Sequence, residues 1–297
     1  MSIFKECDIR GVWGEELNEA MAFRIGYAVA LAHPGTFLVG GDVRTSTPML
    51  KPALIGGLRA AGCRVIDLGM VPTPVFYYAL DQFEDAVGGV MVTASHNPAQ
   101  FNGFKFMFGT MPVTPDDMKA LEAQVAALPA DLPTTPQAAL QQYDINEEYL
   151  NAMLHLVPPA PPIKIVVDAG NGATCSLAPA LLESLGHHVI ELFCTFDGSF
   201  PNREPNPAVH ANLTAIREAV IAEKADLGVA FDGDGDRVVF IDETGQVVGS
   251  EAALVILCRE YLAEPSSVVF DIKSSSLLSN EVTRMGSTPI KIGRAHV

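Results

Sequence analysis

Two short segments carry residue types that could do chemistry together. Residues 93–98 have the sequence Thr-Ala-Ser-His-Asn-Pro and follow an apolar run, which predicts that Ser95 lies on an exposed turn. Residues 232–237 have the sequence Asp-Gly-Asp-Gly-Asp-Arg and follow a second apolar run. A serine hydroxyl can carry a phosphoryl group, and a cation held by carboxylates can neutralise its charge. The two segments together therefore predict phosphoryl transfer, with both loops bordering one pocket.

The aspartates of the second segment are spaced to bind one ion. Asp232, Asp234 and Asp236 alternate with glycines, and alternate side chains of an extended chain share a face, which suits a hard divalent cation. Together with Glu243 they also match ligand positions of an EF-hand calcium loop. Arg237 stands where that loop needs glycine, and its flanks have strand-like rather than helical patterns. A purely structural acidic turn is the other alternative, although three unpaired aspartates would repel one another.

The residues beside these aspartates and this serine have functional and ordinary interpretations. An isolated Ser-His-Asn-Pro sequence is more often a polar turn than a nucleophile site. His96 could orient a phosphate or transfer a proton. Arg237 could give a phosphate a fixed pair of donors or form a salt bridge with an aspartate, and the two roles are compatible.

Two more basic residues are candidates because of their neighbours. Lys105 alternates with Phe104 and Phe106 and so faces away from both, either towards a site or towards solvent. Arg10 precedes Gly11, which permits close approach to a ligand, although surface arginines are common. Residues 41–44, Gly-Asp-Val-Arg, predict a turn at a strand end with an Asp–Arg ion pair.

Composition excludes several classes of protein. The chain of 297 residues is 48% hydrophobic and 18% charged, which is typical of a globular protein. Its net charge of −16 argues against binding to nucleic acid or to an anionic membrane. Its five cysteines never have CxxC spacing, which favours a reducing cytoplasm over a disulfide framework or a zinc site. No apolar run approaches the ~20 residues of a membrane helix.

Short β-branched runs alternate with amphipathic stretches along the chain. This pattern predicts an α/β fold, with successive α/β domains whose mixed sheets are covered by helices and whose sites lie at strand ends. The predicted strands are at residues 37–43, 64–68, 86–92, 104–108, 163–167, 188–193, 227–231, 238–241 and 268–272. The predicted helices are at residues 48–61, 73–83, 114–128, 177–185, 212–223, 251–262 and 275–285.

Proline-rich sequence divides the chain. Residues 158–162, Pro-Pro-Ala-Pro-Pro, form a stiff spacer that no helix or central strand can cross. The boundaries that we predict give units at residues 1–157, 158–248 and 249–297. The last unit has about one βαβ step, too little for an independent core, so we expect that the reading frame is cut short. We assign no role to Arg294 or His296 at its end.

Taken in order, the motifs resemble those of the α-D-phosphohexomutases, most closely the bacterial phosphomannomutase/phosphoglucomutase branch. The matching segments are residues 8–11, 41–44, 93–98, 102–105, 200–202, 205–207, 232–237 and 271–275. The resemblance implies four domains around a central cleft, the first three sharing an α/β core. The three predicted units would then be a phosphoserine domain I, a metal-binding domain II and the incomplete start of a sugar-binding domain III, with domain IV absent.

The same resemblance implies roles for individual residues. Ser95 would be the phosphoserine, and its phosphate would share a Mg²⁺ ion with Asp232, Asp234 and Asp236. The residues implied to assist proton transfer and charge stabilisation are His96, Lys105, Arg10 and Arg237. The residues implied to bind the substrate are Lys273, Arg10 and Arg237. Cys7 stands where this branch usually has an aromatic residue, commonly tyrosine.

The implied activity is a cytoplasmic interconversion of hexose 1-phosphate and hexose 6-phosphate through a bisphosphorylated sugar. Mannose and glucose phosphates are the leading substrates, glucose 1,6-bisphosphate or mannose 1,6-bisphosphate would be the activator, and the protein would be a monomer or weak dimer. One alternative is a phosphosugar phosphatase or phosphotransferase that hydrolyses the phosphoserine. Another is a non-enzymatic module that binds Ca²⁺ or a sugar phosphate.

Overall fold

The computed structural model describes residues 2–109, 111–262 and 264–293. Arg294 and His296 lie outside the described residues. Within these ranges the strands form three sheets that follow one another along the chain, each with helices packed against it. The predicted α/β class is confirmed.

The first sheet has seven strands in the order β1-β5-β4-β2-β3-β7, with β6 beside β5. The strands are β1 (Ile9–Val12), β2 (Thr36–Gly41), β3 (Arg64–Met70), β4 (Ala86–Val92), β5 (Phe101–Phe108), β6 (Met111–Pro112) and β7 (Leu140–Gln142). Strands β4, β2, β3 and β7 are parallel to one another, whereas β5 pairs antiparallel with β4 and with β1. The sheet is therefore mixed, as predicted.

Helices cover both faces of this sheet. They are α1 (Glu19–Ala32), α2 (Thr47–Ala60), α3 (Thr73–Gln82), α4 (Pro115–Ala127) and α5 (Asn146–Leu156). Consecutive residues of β2 enter different apolar clusters: Phe37 packs with α1, α2 and α4, and Leu38 packs with α3 and α5. Because both faces are buried, β4 is almost wholly apolar and delivers its next residues to one edge of the sheet.

The second sheet has four strands in the order β11-β10-β8-β9. The elements are β8 (Lys164–Asp168), α6 (Leu177–Ser184), β9 (His188–Leu192), α7 (Thr214–Glu223), β10 (Leu227–Phe231) and β11 (Val238–Asp242), and a short 3₁₀ turn, His210–Leu213, occupies the start of the helix predicted at 212–223. Strand β8 is parallel to β9 and β10, and β10 is antiparallel to β11. The strands on either side of residues 232–237 exclude the helix-flanked EF-hand geometry.

The third sheet is a parallel pair. It consists of β12 (Ser267–Asp271) and β13 (Thr288–Ile292), with α8 (Ser250–Tyr261) and α9 (Ser276–Arg284) packed around Phe270. Every predicted strand and helix has a counterpart, but β1, β6, β7, β13, α1 and α5 were not among the predictions. The division into units at 157/158 and 248/249 stays a prediction. Among the described residues, no helix is long and apolar enough to cross a membrane.

Two glycines let α1 and α2 approach each other closely. A Cβ atom at Gly57 would lie 2.0 Å from the carbonyl oxygen of Phe23, and one at Gly26 would lie 2.2 Å from that of Leu54. Both obstacles are backbone atoms, which cannot rotate away as a side chain can. The packing of these helices therefore requires glycine at both positions.

Gly57→Ala is expected to lower the free energy of unfolding by about 1–3 kcal/mol, the usual cost of overpacking a core. The neighbouring Gly56→Ala is the matched control, because a Cβ there would meet the Phe23 ring at 3.4 Å, an ordinary contact distance. In that variant only the higher helix propensity of alanine acts, and it should raise the free energy of unfolding by about 1 kcal/mol. Urea unfolding measures both, and equal effects of the two substitutions would contradict the packing argument.

Candidate active site

Ser95 lies at the edge of the first sheet, just after β4. Its backbone is in the left-handed region, with φ of 52°, and its N–H donates to Thr93 Oγ1 at 2.8 Å. The sequence prediction of an exposed turn is wrong, because Ser95 is fully buried. The loop of residues 232–237 covers it: a Cβ at Gly233 would lie 2.6 Å from the Ser95 carbonyl oxygen.

The aspartate loop follows β10 and lies against Ser95. Ser95 Oγ donates to Asp232 Oδ2 at 2.9 Å, so the two loops border one site. One carboxylate oxygen from each of Asp232, Asp234 and Asp236 lies within 4.8 Å of the others. Asp232 and Asp234 are fully buried, and Asp236 is more exposed.

Lys105 contacts two of the three aspartates of this cluster. In β5 its neighbours Phe104 and Phe106 are buried in the core, and its own side chain reaches the aspartates on the other side. Its Nζ donates to Asp234 Oδ2 at 2.7 Å and to Asp236 Oδ2 at 2.6 Å. Burial acts to lower the pKa of Lys105, but the charges of the two aspartates outweigh it and raise the pKa above its usual value.

The aspartates have more negative charge than Lys105 neutralises. Burial, followed by the charges of Asp234 and Asp236, raises the pKa of Asp232 to about 8. Burial acts in the same direction on Asp234, but Lys105 and the hydroxyl of Thr73 outweigh it, and the pKa of Asp234 is lowered. The ionised form of Asp232 is therefore short of a positive partner.

An orphaned oxygen shows where such a partner would bind. Asp234 Oδ1 is buried and has no hydrogen-bond partner among the residues that the structure describes. A buried acceptor without a donor is costly unless a cation or water satisfies it. The donor set, three carboxylates close together, is the one that Mg²⁺ and Ca²⁺ prefer. The residues present therefore fit a hard divalent cation, as their spacing predicted.

A chain of contacts runs from Arg237 through His96 to Ser95. Arg237 Nη1 lies 2.6 Å from His96 Nδ1, which in turn lies 3.4 Å from Ser95 Oγ. Because a guanidinium can only donate, Nδ1 is the acceptor and the ring proton is on Nε2. Burial, followed by the charges of Arg237 and Arg10, lowers the pKa of His96, which keeps the ring neutral at neutral pH.

Arg10 and Arg237 also have ordinary partners. Arg10 Nε donates to Asp8 Oδ2 at 2.8 Å, and its Nη1 donates to Asn97 Oδ1 at 3.1 Å, in the loop of Ser95. Arg237 Nε lies 3.8 Å from Asp236 Oδ1, which is the salt bridge that the sequence allowed. Both arginines therefore lie beside the site.

Lys273 lies away from these contacts. It follows β12 and is exposed, and its backbone N–H donates to Asp271 Oδ1 at 2.7 Å. No contact found among the described residues joins its side chain to the loops of Ser95 and Asp232. Its role in binding a sugar phosphate stays a prediction.

Sequence reasoning missed two residues that tie the aspartate loop to its surroundings. Thr73, at the start of α3, donates its N–H to the Asp234 carbonyl oxygen at 2.8 Å and its hydroxyl to Asp234 Oδ2 at 2.7 Å. Arg203 is paired with the buried Asp168 and donates to the carbonyl oxygen of Phe231 at 2.7 Å. No local pattern could reveal either contact, because the partners are far apart in the chain.

A third missed residue is Arg44, for which only the ion pair was predicted. That pair is present, with 3.1 Å between Arg44 Nε and Asp42 Oδ2, and both side chains are fully buried. The guanidinium also donates to backbone carbonyls in the Ser95 loop. A fully buried arginine beside a candidate nucleophile is a structural signal that sequence pattern does not give.

Comparisons with known proteins agree with this geometry. Residues 1–130 match the family described as phosphoglucomutase/phosphomannomutase, alpha/beta/alpha domain I, and residues 147–245 match domain II of the same description. Phosphomannomutase/phosphoglucomutase from Pseudomonas aeruginosa is 38% identical over 302 residues, which cover 99% of this chain and 64% of the relative. The chain thus spans about two thirds of the length of such curated relatives.

Two further comparisons cover more of the relative. A phosphomannomutase from Salmonella montevideo is 37% identical over 314 residues, covering 100% of this chain and 68% of that protein. The solved structure of a phosphoglucomutase/phosphomannomutase family protein from Burkholderia thailandensis has a TM-score of 0.92 and 35% identity, covering 99% of this chain and 67% of that one. As the resemblance of its motifs predicted, the chain belongs to the phosphoglucomutase/phosphomannomutase family.

Proposed function

We propose that the chain serves a phosphohexomutase reaction, in which hexose 1-phosphate and hexose 6-phosphate interconvert through a phosphoserine at position 95. The observation that carries the proposal is the 2.9 Å hydrogen bond from Ser95 Oγ to Asp232 Oδ2, inside a cluster of three carboxylates. The proposal is supported by relatives named phosphomannomutase/phosphoglucomutase and phosphoglucomutase. Mannose and glucose phosphates are accordingly the proposed substrates.

In the proposed reaction a bisphosphorylated sugar donates a phosphoryl group to Ser95. The bond from Oγ to phosphorus forms while the bond from phosphorus to the sugar oxygen breaks. The hydroxyl proton passes to Asp232 Oδ2, which already accepts its hydrogen bond, and Asp232 then returns one proton to the sugar oxygen, so no net proton is gained or lost. The reverse step returns the phosphoryl group to the other sugar oxygen. Burial of Ser95 limits access of water, which favours transfer over hydrolysis.

The basic residues would act mainly on charge. Arg237 contacts His96 and Arg10 contacts Asn97, both in the loop of Ser95, and the two guanidinium groups could pair with an anionic sugar phosphate. His96 is neutral and carries its ring proton on Nε2. Its Nδ1 can therefore accept a proton once Arg237 turns away from it towards the phosphate. Lys105 offsets part of the negative charge of Asp234 and Asp236. In phosphoryl transfer such positioning and charge balance supply most of the catalysis.

Mg²⁺ is the proposed metal, held by Asp232, Asp234 and Asp236. When bound, it would supply positive charge to stabilise a phosphoryl group in transfer. Asp234 Oδ1, which has no partner among the described residues, and Asp232, whose pKa is raised, are the two groups that would gain most from the ion.

The decisive experiment follows the products of glucose 1-phosphate with Mg²⁺ and a small amount of glucose 1,6-bisphosphate. A mutase gives glucose 6-phosphate, and intact mass shows a phosphoryl group on Ser95. A phosphatase gives free phosphate instead. A binding module shows Ca²⁺ or sugar-phosphate binding in calorimetry without phosphoserine, and that result would remove the proposal. Mannose 1-phosphate and mannose 1,6-bisphosphate in parallel reactions determine which hexose is preferred.

A further inference from the structure

All the donors of one buried guanidinium are directed at the loop of Ser95 and its support. Arg44 Nε donates to Asp42 Oδ2 at 3.1 Å. Its four remaining N–H groups donate to backbone carbonyl oxygens, and these are the oxygens of Ser95 (2.9 Å), Asn97 (2.5 Å), Pro98 (2.8 Å) and Phe101 (2.9 Å). An arginine has five N–H donors, so Arg44 is fully satisfied by these partners.

The partner of Arg44 holds the other side of Ser95. Asp42 Oδ2 accepts a hydrogen bond from Thr93 Oγ1 at 2.7 Å, and Thr93 Oγ1 accepts one from the Ser95 N–H at 2.8 Å. Arg44 holds the Ser95 carbonyl directly. The two peptide planes that flank the Ser95 Cα are therefore both tied to the Asp42–Arg44 pair. Because φ and ψ describe the rotation of these planes, the pair fixes both angles.

The conformation so held is one that serine does not favour. The φ of 52° places Ser95 in the left-handed region, which residues with a side chain rarely adopt and which persists only where surrounding contacts enforce it. This conformation directs Oγ to Asp232 Oδ2. The Phe200 ring, from the chain between β9 and α7, lies 5.2 Å from the guanidinium carbon and closes the remaining side.

We propose that Arg44 is the positioning residue for Ser95: it holds the loop so that Oγ faces the aspartate cluster in the orientation that phosphoryl transfer requires. The inference rests on the proposed function. It assigns no contact with substrate to Arg44, which is buried and acts through the loop.

Arg44→Lys tests the proposal while keeping the positive charge beside Asp42. An ammonium has three donors and no planar fork, so at least two of the five acceptors lose their partner. We expect the maximal rate of Ser95 phosphorylation by glucose 1,6-bisphosphate to fall about 100-fold, the size of effect that a misplacement near 1 Å can cause. The donor concentration that gives half the maximal rate should not change, because the sugar does not contact Arg44.

A second variant keeps the test decisive if lysine is tolerated poorly. Arg44→Ala leaves a cavity shaped for a guanidinium, so added guanidinium ion should restore part of the phosphorylation rate. It should restore nothing in Ser95→Ala. The matched control is Arg24→Lys, because Arg24 also donates to three backbone carbonyls, those of Val125, Leu128 and Pro129, away from the Ser95 loop. Its phosphorylation rate should equal that of the wild type.

The outcomes distinguish failure of the positioning role of Arg44 from failure of the proposed function. A wild-type rate in Arg44→Lys overturns the inference. So does a loss of rate in both Arg44→Lys and Arg24→Lys that follows the drop in melting temperature of each variant. If the wild type itself is not phosphorylated, the proposed function fails. The positioning role is then tested by amide hydrogen exchange in the loop of Ser95. The amides of Asn97 and Phe101 donate within the loop and should exchange faster in Arg44→Lys. Unchanged exchange there would overturn the inference as well.

Discussion

Ser95→Ala is expected to abolish formation of the phosphoenzyme and to reduce mutase turnover by at least about 10³-fold, since removal of a nucleophile leaves only binding and charge stabilisation. The protein should remain folded, because the hydroxyl makes one strong hydrogen bond, to Asp232. The measurement is transfer of radioactive phosphate from glucose 1,6-bisphosphate, together with the conversion of glucose 1-phosphate to glucose 6-phosphate.

Ser199→Ala serves as the matched control for this experiment. Ser199 is exposed, and its hydroxyl donates to Asp197 Oδ1 in a turn of its own. Its loss should leave labelling and turnover unchanged. Undiminished turnover in Ser95→Ala would show that another group carries the phosphate, and the proposed mechanism would have to be abandoned.

Asp232→Asn is expected to have opposite effects with and without metal. Without metal it should raise the melting temperature, because burial and the charges of Asp234 and Asp236 disfavour the ionised form of Asp232, a cost that the neutral amide does not bear. With Mg²⁺ the wild type should gain about 2.7 kcal/mol at a concentration 100 times the Kd, and the variant should gain far less because it lacks one anionic ligand. Turnover should fall with the metal affinity.

Thermal unfolding with and without Mg²⁺ measures both effects. Asp116→Asn is the control for a lost negative charge, because Asp116 forms a highly exposed pair with Lys119. It should respond to Mg²⁺ as the wild type does. If Asp232→Asn responded to Mg²⁺ as strongly as the wild type, Asp232 would not be a ligand.

Much of the fold and the position of both loops could be predicted from local pattern. Runs such as β4 and β10 are apolar because both faces of their sheets are covered, and polar residues directly after them must lie at a sheet edge. Ser95 and Asp232 both follow such a strand. Helix α1 was missed because its buried positions include residues 28–30 in succession, so its periodicity has no clear polar face.

The contacts that join the loops could not be predicted in this way. Ser95 was expected to be exposed, since nothing near position 95 shows that a loop more than a hundred residues later will cover it. Arg44 was expected to form a pair with Asp42, a local contact that is present, but its carbonyl partners lie over fifty residues away. Local sequence determines which side chains leave a strand, and tertiary packing determines which surfaces they meet.

The hydrogen bonds from Thr73 to Asp234 have a consequence for chimeras made between family members. Helix α3 packs on the first sheet, which carries Ser95, yet its first residue donates two hydrogen bonds to the aspartate loop of the second sheet. A chimera that took residues 158–248 from a relative would combine that relative's aspartate loop with the Thr73 and Lys105 of this chain. Gene shuffling across this junction should therefore succeed only when the residues of the recipient at 73 and 105 are compatible with the aspartate loop of the donor, whatever the overall similarity of the parents.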